Sequence, residues 1–331
     1  MQRRDFIALL GSAAALWPLS ARAQKIRTIG ILMNGAAGEP MPQTNANAFV
    51  DGLRALGWVD GRNLRIEYRW NSGSAERAKT HAQDLAKLNP EVILSASTTN
   101  LIALRRATQS IPIVFLQVSD PLAQGYVTSV THPGGNITGF SVLEFSIGGK
   151  WIELLKEVAP KLTRVAVMSN PDTAPQTTFF HRAIQSAAPT FKIEVVAAPV
   201  RSEADIASII GNLSGTNPGG LILPTDSYTR LRQTRIAELA REARVPALSA
   251  VMAFIDEGGL LSYGASGTEG LTTQYRQAAS YVDRILRGSK PGDLPVQAAT
   301  KFEFGINRKT ANALGLEIPP KLLFTADRVI E

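Results

Sequence analysis

The segment Pro90 to Asn100, PEVILSASTTN, sets a run of hydroxyls directly after a short apolar strand. Val92, Ile93 and Leu94 have the continuous apolar character of a parallel strand covered on both faces. Ser95, Ser97, Thr98 and Thr99 come next, and Asn100 to Thr108 reads as a helix, so the hydroxyls stand where strand gives way to helix N-terminus. That terminus presents unpaired N–H groups and about half a positive charge, which suits an anion such as a carboxylate. An ordinary Ser/Thr cap is the competing structural reading.

The segment Pro218 to Tyr228, PGGLILPTDSY, repeats the pattern and sets Thr225 over Ser97, Asp226 over Thr98 and Ser227 over Thr99. Two aspartates stand at comparable places, Asp120 after Ser119 and Asp226 at the head of a helix. Each either neutralises a cationic group or serves as an Asx-turn or cap. A carboxylate held at a helix N-terminus and an ammonium held by an aspartate together describe an amino acid.

The elements that must position these residues recur in two rounds. The first runs strand 26–33 ending at Asn34, helix 43–56, strand 64–70, helix 74–88, strand 91–95, helix 100–108 and strand 111–115. The second runs strand 164–169 ending at Asn170, helix 174–187, strand 192–197, helix 202–213, the PGGLILPTDSY segment, a helix to Arg244 and strand 245–248. Such alternation implies parallel sheets wrapped by helices, so the fold class is α/β: two Rossmann-like, flavodoxin-like lobes joined by a hinge. In open parallel sheets ligands bind beyond the carboxyl ends of the strands. Those ends carry Asn34, Ser97, Thr98, Thr99, Ser119 and Asp120 in one lobe, and Asn170, Asp226 and Ser227 in the other.

Two crossings are expected. Thr131 to Asn136 is a turn cluster before Ile137 to Ser141, where the chain passes to the second lobe, and Gly258-Gly259 precedes Leu260 to Gly264, read as a return crossing that presents Tyr263 to the cleft or packs it in the hinge. The helix 271–286 then packs on the first lobe. The resulting division is residues 24–140 plus 262–290 for the N-terminal lobe and 141–261 plus 291–331 for the C-terminal lobe.

Composition narrows the function. The chain has 331 residues, 44% hydrophobic and 19% charged, enough for two cores. Its net charge of +7 is dispersed without a clustered run of Lys or Arg, which argues against nucleic-acid binding. There is no cysteine, and His81, His132 and His181 lack a ligand spacing, so neither a disulfide, a metal nor a cofactor is expected. Residues 1–23 carry a basic start, an apolar stretch from Phe6 to Leu16 and Ala21-Arg22-Ala23, the pattern of a signal peptide cleaved after Ala23. Arg3-Arg4 followed by Asp5-Phe6-Ile7 fits the twin-arginine route, with general secretion as the alternative.

Three long phrases carry a family resemblance: SDPLAQGYVTSVTHPGGNITGFS (119–141), GGLLSYGAS (258–266) and the stretch from YRQAASYVDRILRGSKPGDLPVQ to PPKLLFTADRVIE (275–331). They resemble the substrate-binding proteins of a bacterial ABC-transporter family, a branch of the type I periplasmic binding proteins that includes binders of aromatic amino acids. His132 stands where arginine is commoner before Pro-Gly-Gly-Asn. The resemblance implies a hinged, monomeric, periplasmic binder that passes a small molecule to an ABC permease in the inner membrane and does no chemistry, with Ser97, Thr98, Thr99 and Asp120 contributing to the site.

Two rivals remain at this level. An exported enzyme finds little support, because the sequence has no G-x-S-x-G elbow, no G-x-x-x-x-G-K-[ST] loop and no G-x-G-x-x-G after the first strand. A ligand-sensing partner of a membrane receptor would use the same fold and cleft.

Overall fold

The computed structural model describes residues 26–215, 219–265, 268–299 and 301–331. The leader expected at residues 1–23 and the start at Gln24 lie outside the described residues.

Strands β1 (Arg27–Met33), β2 (Leu64–Trp70), β3 (Val92–Ala96), β4 (Ile113–Val118) and β5 (Ile137–Ser141) form one sheet in the order β2-β1-β3-β4-β5, parallel throughout. Helices α1 (Pro40–Ala55), α2 (Ala75–Leu88) and α3 (Thr98–Ala107) make the crossovers. All five residues of β3 are buried, as a strand covered on both faces requires. Ser74 caps α2 by accepting from the Arg77 N–H at 3.3 Å.

The second sheet repeats that order. Strands β6 (Arg164–Ser169), β7 (Glu194–Pro199), β8 (Gly219–Leu223), β9 (Ala247–Ser249) and β10 (Leu261–Ala265) run β7-β6-β8-β9-β10. It is extended beyond β10 by the antiparallel β11 (Phe302–Asn307) and by β12 (Arg328–Ile330). Helices α4 (Gly148–Val158), α5 (Thr177–Phe191), α6 (Glu203–Leu213), α7 (Ser227–Arg230), α8 (Gln233–Glu242) and α9 (Ala253–Asp256) belong to this lobe. Ser202 opens α6 with a reciprocal capping box to Asp205, so two of the helix's free N–H groups are satisfied at once.

Each lobe has its own apolar interior. Phe49, Ile31, Leu94 and Val114 pack together in the first, and Trp151, Phe180, Val165 and Ile222 in the second, all essentially inaccessible to water. Each such side chain contributes about 1.5–3 kcal/mol by burial. Trp151 also donates from Nε1 to the Tyr263 carbonyl at 2.7 Å, which satisfies its one polar atom.

Helix α10 (Thr268–Leu286) belongs to the first lobe although it follows β10 of the second. Tyr275 and Val282 join the first core, Thr272 donates to Asn45 at 3.2 Å, and Asp283 accepts from the Trp58 indole at 2.8 Å. Helices α11 (Arg308–Leu314) and α12 (Pro320–Thr325) finish the second lobe.

The lobe boundaries differ from the sequence expectation in two places. The expected return crossing Leu260 to Gly264 is the fifth strand of the second sheet, β10, paired with β9 and β11, so 262–265 does not open the first lobe's segment. Its sequence satisfies the demand for a central strand, and ladder pairing overrides the turn signal of Gly258-Gly259. Residues 294–297, expected in the second lobe, hydrogen-bond to the first: the Val296 N–H to the Val130 carbonyl at 2.7 Å, the Gln297 N–H to Gly139 at 2.9 Å, and the Thr138 hydroxyl to the Leu294 carbonyl at 2.6 Å. The chain therefore crosses after β5, after β10 and again between Gln297 and β11.

The strands that precede the first two crossings share a device. Gly139 in β5 lies so close to β4 that an added Cβ would run into the Phe115 backbone, and Gly264 in β10 stands likewise against the Ala250 carbonyl. Both positions admit only glycine at this strand spacing.

Candidate functional site

The carboxyl ends of the two sheets face each other across a cleft of about 800 Å³. Asn34, Ser97, Thr98, Asp226 and Ser227 line it, as their strand-end positions predict. The other five expected residues do not. Thr99, Ser119 and Asn170 sit just behind the walls and serve the lobes' contact with each other or the local loops.

Side-chain hydrogen bonds at the strand ends join the lobes directly. Asn34 Nδ2 donates to Ser227 Oγ at 2.8 Å, and Thr99 Oγ1 donates to the Thr173 carbonyl at 2.8 Å. Ser119 Oγ and Thr225 Oγ1 share a longer bond of 3.4 Å. The structure thus holds the two strand-end sets together at the cleft.

Ser97 is the N-cap of α3 and accepts from the Asn100 N–H at 3.3 Å. Its backbone lies at φ 106 and ψ 155, a region that favours glycine. Behind it the fully buried Asn100 side chain donates to the Leu32 and Ala96 carbonyls at 3.0 and 2.7 Å and accepts from Asn71 at 2.6 Å. That amide knits the ends of β1 and β3 and fixes the turn that presents Ser97 and Thr98 to the cleft. Gln117 on β4, another cleft residue, also has positive φ, 58°, where the β4–β5 register shifts.

Neither aspartate is disposed to meet an ammonium. Asp120 lies outside the cleft lining at φ 38°, where its carboxylate accepts from the Ala123 N–H at 3.0 Å and the Phe145 N–H at 3.4 Å. It is an Asx-type cap for the turn that follows. Asp226 touches the cleft, yet it is 6% exposed, and its two oxygens accept from four groups: Asn170 N–H at 2.9 Å, Tyr228 N–H at 3.0 Å, Thr229 N–H at 3.2 Å and the Thr173 hydroxyl. These charge-assisted bonds lock the loop after β6 to the head of α7 and use up the carboxylate's acceptor capacity. Asn170 in turn accepts from the Asp172 N–H at 2.8 Å.

Tyr263 lies away from the main cleft. It stacks on Phe302 at 6.2 Å and lines a separate cavity of about 310 Å³ beside the crossings, so it packs in the hinge.

Sequence reading missed Arg230. It ends α7, four residues after Asp226, and lines the cleft from the second lobe. Burial pulls its pKa below the usual arginine value, with the Tyr275 phenol of the first lobe acting in the opposite sense. Among the described residues no carboxylate pairs with it. The other cations on the lining are paired: Arg328 with Asp256 at 2.7 Å, a bond that raises the arginine's pKa, and Lys301 with Glu303 at 3.2 Å.

Glutamines were missed as well: Gln117, Gln176, Gln274, Gln277 and Gln297 all line the cleft, where Phe140 is the one aromatic lining residue among the described residues. Polar residues on a strand end or a helix flank carry no sequence signal that separates a cleft wall from solvent.

Residues 39–330 match the family described as ABC transporter substrate binding protein. The chain belongs to that family. Its members are solute-binding proteins rather than enzymes. The chain is 25% identical over 309 residues to a tyrosine-binding protein of Clostridioides difficile (strain R20291), covering 93% of this chain and 86% of that protein. Among solved structures it is similar to a conserved domain protein of Vibrio cholerae, with TM-score 0.80 and 28% identity over 92% of this chain and 100% of that one. A Streptococcus pneumonia ABC domain in complex with L-Trp gives TM-score 0.77 at 22% identity over 92% of this chain and 99% of that one, a likeness of fold. The two-lobed architecture is the type I periplasmic binding protein fold. Among the described residues no helix is long and apolar enough to cross a membrane.

Proposed function

We propose that this substrate-binding protein captures a small carboxylate-bearing solute, an amino acid or an aromatic acid, between its lobes and delivers it to an ABC permease of the inner membrane. The observation that carries the reading is Arg230: a guanidinium drawn out of water at the cleft wall, with no carboxylate partner among the described residues. An unpaired, partly desolvated cation is costly, and an incoming carboxylate supplies the missing partner. The N-terminus of the ten-residue α3, which carries Ser97 and Thr98 on the opposite wall, adds donors of the same sign. The tyrosine-binding relative supports a ligand of this class.

The chain acts in the periplasm as a monomer after removal of residues 1–23. Ligand meets one lobe first, and closure brings the other lobe's groups to it, shifting the population toward the closed state by the difference in affinity between the two states. A thermal-shift screen tests the reading. The chain from Gln24 onward, stripped by unfolding and refolding, is challenged with amino acids, aromatic acids, dicarboxylates and sugars. A carboxylate at ~100 times its dissociation constant stabilises by about 2.7 kcal/mol, an easily read shift. Stabilisation by neutral sugars alone would refute the proposal.

A further inference from the structure

The three crossings between the lobes meet at one place, and each contributes a residue to it. Phe140 comes from β5, at the first crossing; Tyr281 from α10, the helix that the second crossing delivers to the first lobe; Gln297 from the segment that precedes the third. Gln297 pairs with β5 in a parallel bridge, its N–H donating to the Gly139 carbonyl at 2.9 Å and its carbonyl accepting from the Ser141 N–H at 2.7 Å. The Tyr281 ring, 7% exposed, packs on Phe140 with centroids 4.9 Å apart. Its hydroxyl donates to the Pro295 carbonyl at 2.6 Å and stands 2.9 Å from Gln297 Nε2. The hydroxyl has one hydrogen, and the Pro295 carbonyl accepts it, so Gln297 is the donor in the second bond. The Gln297 amide is thereby fixed with its nitrogen on Tyr281.

A bridge of two backbone hydrogen bonds, outside any ladder, opens easily by itself; the phenol fastens it from the side. Phe140 and Gln297 also line the cleft. We propose that Tyr281 is a positioning residue for solute capture: its hydroxyl binds the three crossings into one unit carried by the first lobe, so that the Phe140–Gln297 wall is already set and the lobes turn about a common bend when solute arrives. Freeing one crossing from the other two lets the lobes sample more relative orientations. Binding must then order them, a cost that falls on every ligand alike. Arg230 and the α3 N-terminus answer a ligand's charge, whereas Tyr281 acts on the frame that brings them together. Because this role belongs to the frame, it holds whichever solute the cleft takes.

The chain has no cysteine, so Lys79→Cys and Glu242→Cys, at exposed sites on α2 and α8, carry a pair of spin labels without competing thiols. Double electron–electron resonance gives the interlobe distance distribution of the ligand-stripped labelled protein and of the same pair with Tyr281→Phe, which keeps the ring on Phe140. The expected result is a broader distribution in Tyr281→Phe. Titration calorimetry should then show affinity about three- to tenfold weaker for L-tyrosine, and weaker by the same factor for its des-amino analogue 3-(4-hydroxyphenyl)propionate, the worth of the lost hydrogen bonds. Gln297→Met removes the other half of the clasp and should broaden the distribution likewise. An unchanged distribution in both variants, with only a lower urea midpoint, overturns the proposal and leaves Tyr281 a packing residue. A loss in Tyr281→Phe confined to one of the two probes also overturns it, because the clasp would then be acting on a ligand contact instead of on the frame. If neither probe binds, the distance distribution alone decides.

Discussion

Two junctions at the cleft perform the same task in different ways. Where β3 enters α3 in the first lobe, the turn passes through Ser97 at φ 106 and is braced from behind by a neutral amide, Asn100, that grips two carbonyls. Where β8 enters α7 in the second lobe, Asp226 has an ordinary extended backbone, φ −151, and its carboxylate gathers four donors. The first junction stores strain in backbone; the second holds a charge and neutralises it with hydrogen bonds. The strained side presents hydroxyls and a helix N-terminus, and the other adds the Arg230 guanidinium, which has no carboxylate partner among the described residues. The comparison teaches that topological repetition fixes where polar groups stand, while the local hydrogen-bond inventory decides which of them remain available to a ligand.

The feature common to both lobes gives the largest expected effect. Gly139→Ala and Gly264→Ala each force a methyl into a neighbouring strand's backbone, and both should lower stability by about 3 kcal/mol in urea unfolding, the upper end for overpacking. A loss confined to one of them would break the equivalence of β5 and β10. The aspartates come next. Asp226→Asn removes charge-assisted bonds to four donors and should cost about 2–3 kcal/mol, whereas Asp120→Asn, in a turn with two donors, should cost about 1 kcal/mol or less. Equal losses in the urea midpoints would contradict the division between them.

Smaller effects sharpen the strain side of the comparison. Ser97→Gly relieves a backbone conformation worth about 1–3 kcal/mol and sacrifices only a few tenths as a cap, so thermal unfolding should move upward by about 1 kcal/mol of stability. A decrease would show that the Ser97 hydroxyl matters more than its backbone. Last, Asn34→Ala deletes one interlobe hydrogen bond, worth about 0.5–1.5 kcal/mol, and should weaken ligand affinity about three- to tenfold without altering the unliganded protein's unfolding midpoint.

Much of this architecture was legible in the residues. The strands Leu64–Trp70 and Arg164–Ser169 fall where the sequence puts them, and the helix expected over 74–88 runs from Ala75 to Leu88 behind its cap Ser74, because apolar runs and capping residues act locally. The doubled order of strands follows from the same local signals taken in sequence. Helix α3 begins at Thr98, two residues before the expected Asn100, because Ser97 caps it from a conformation that residue type does not announce. Residues 294–297 were assigned to the wrong lobe because their hydrogen bonds run to Val130, Thr138 and Gly139, partners that no local pattern names.

The site was legible in place and not in roles. Strand ends located Asn34, Ser97, Thr98, Asp226 and Ser227 on the cleft. Whether Asp120 and Asp226 neutralise a cationic group or cap their turns is open in the sequence, which shows a carboxylate and hides its donors. Arg230 escaped notice because the helix was read as continuous to Arg244; it breaks after Arg230, without proline or glycine, and that break leaves the guanidinium at the cleft wall.

The most direct test of the account compares Arg230→Met with the unaltered protein by titration calorimetry, using the best carboxylate from the screen and its primary amide. A charged hydrogen bond is worth about 1.5–3 kcal/mol, so the variant should bind the carboxylate about 10- to 100-fold more weakly and the amide within about threefold of the unaltered protein. Equal losses for both ligands, or no loss for either, would contradict Arg230 as the carboxylate's partner and with it the central claim.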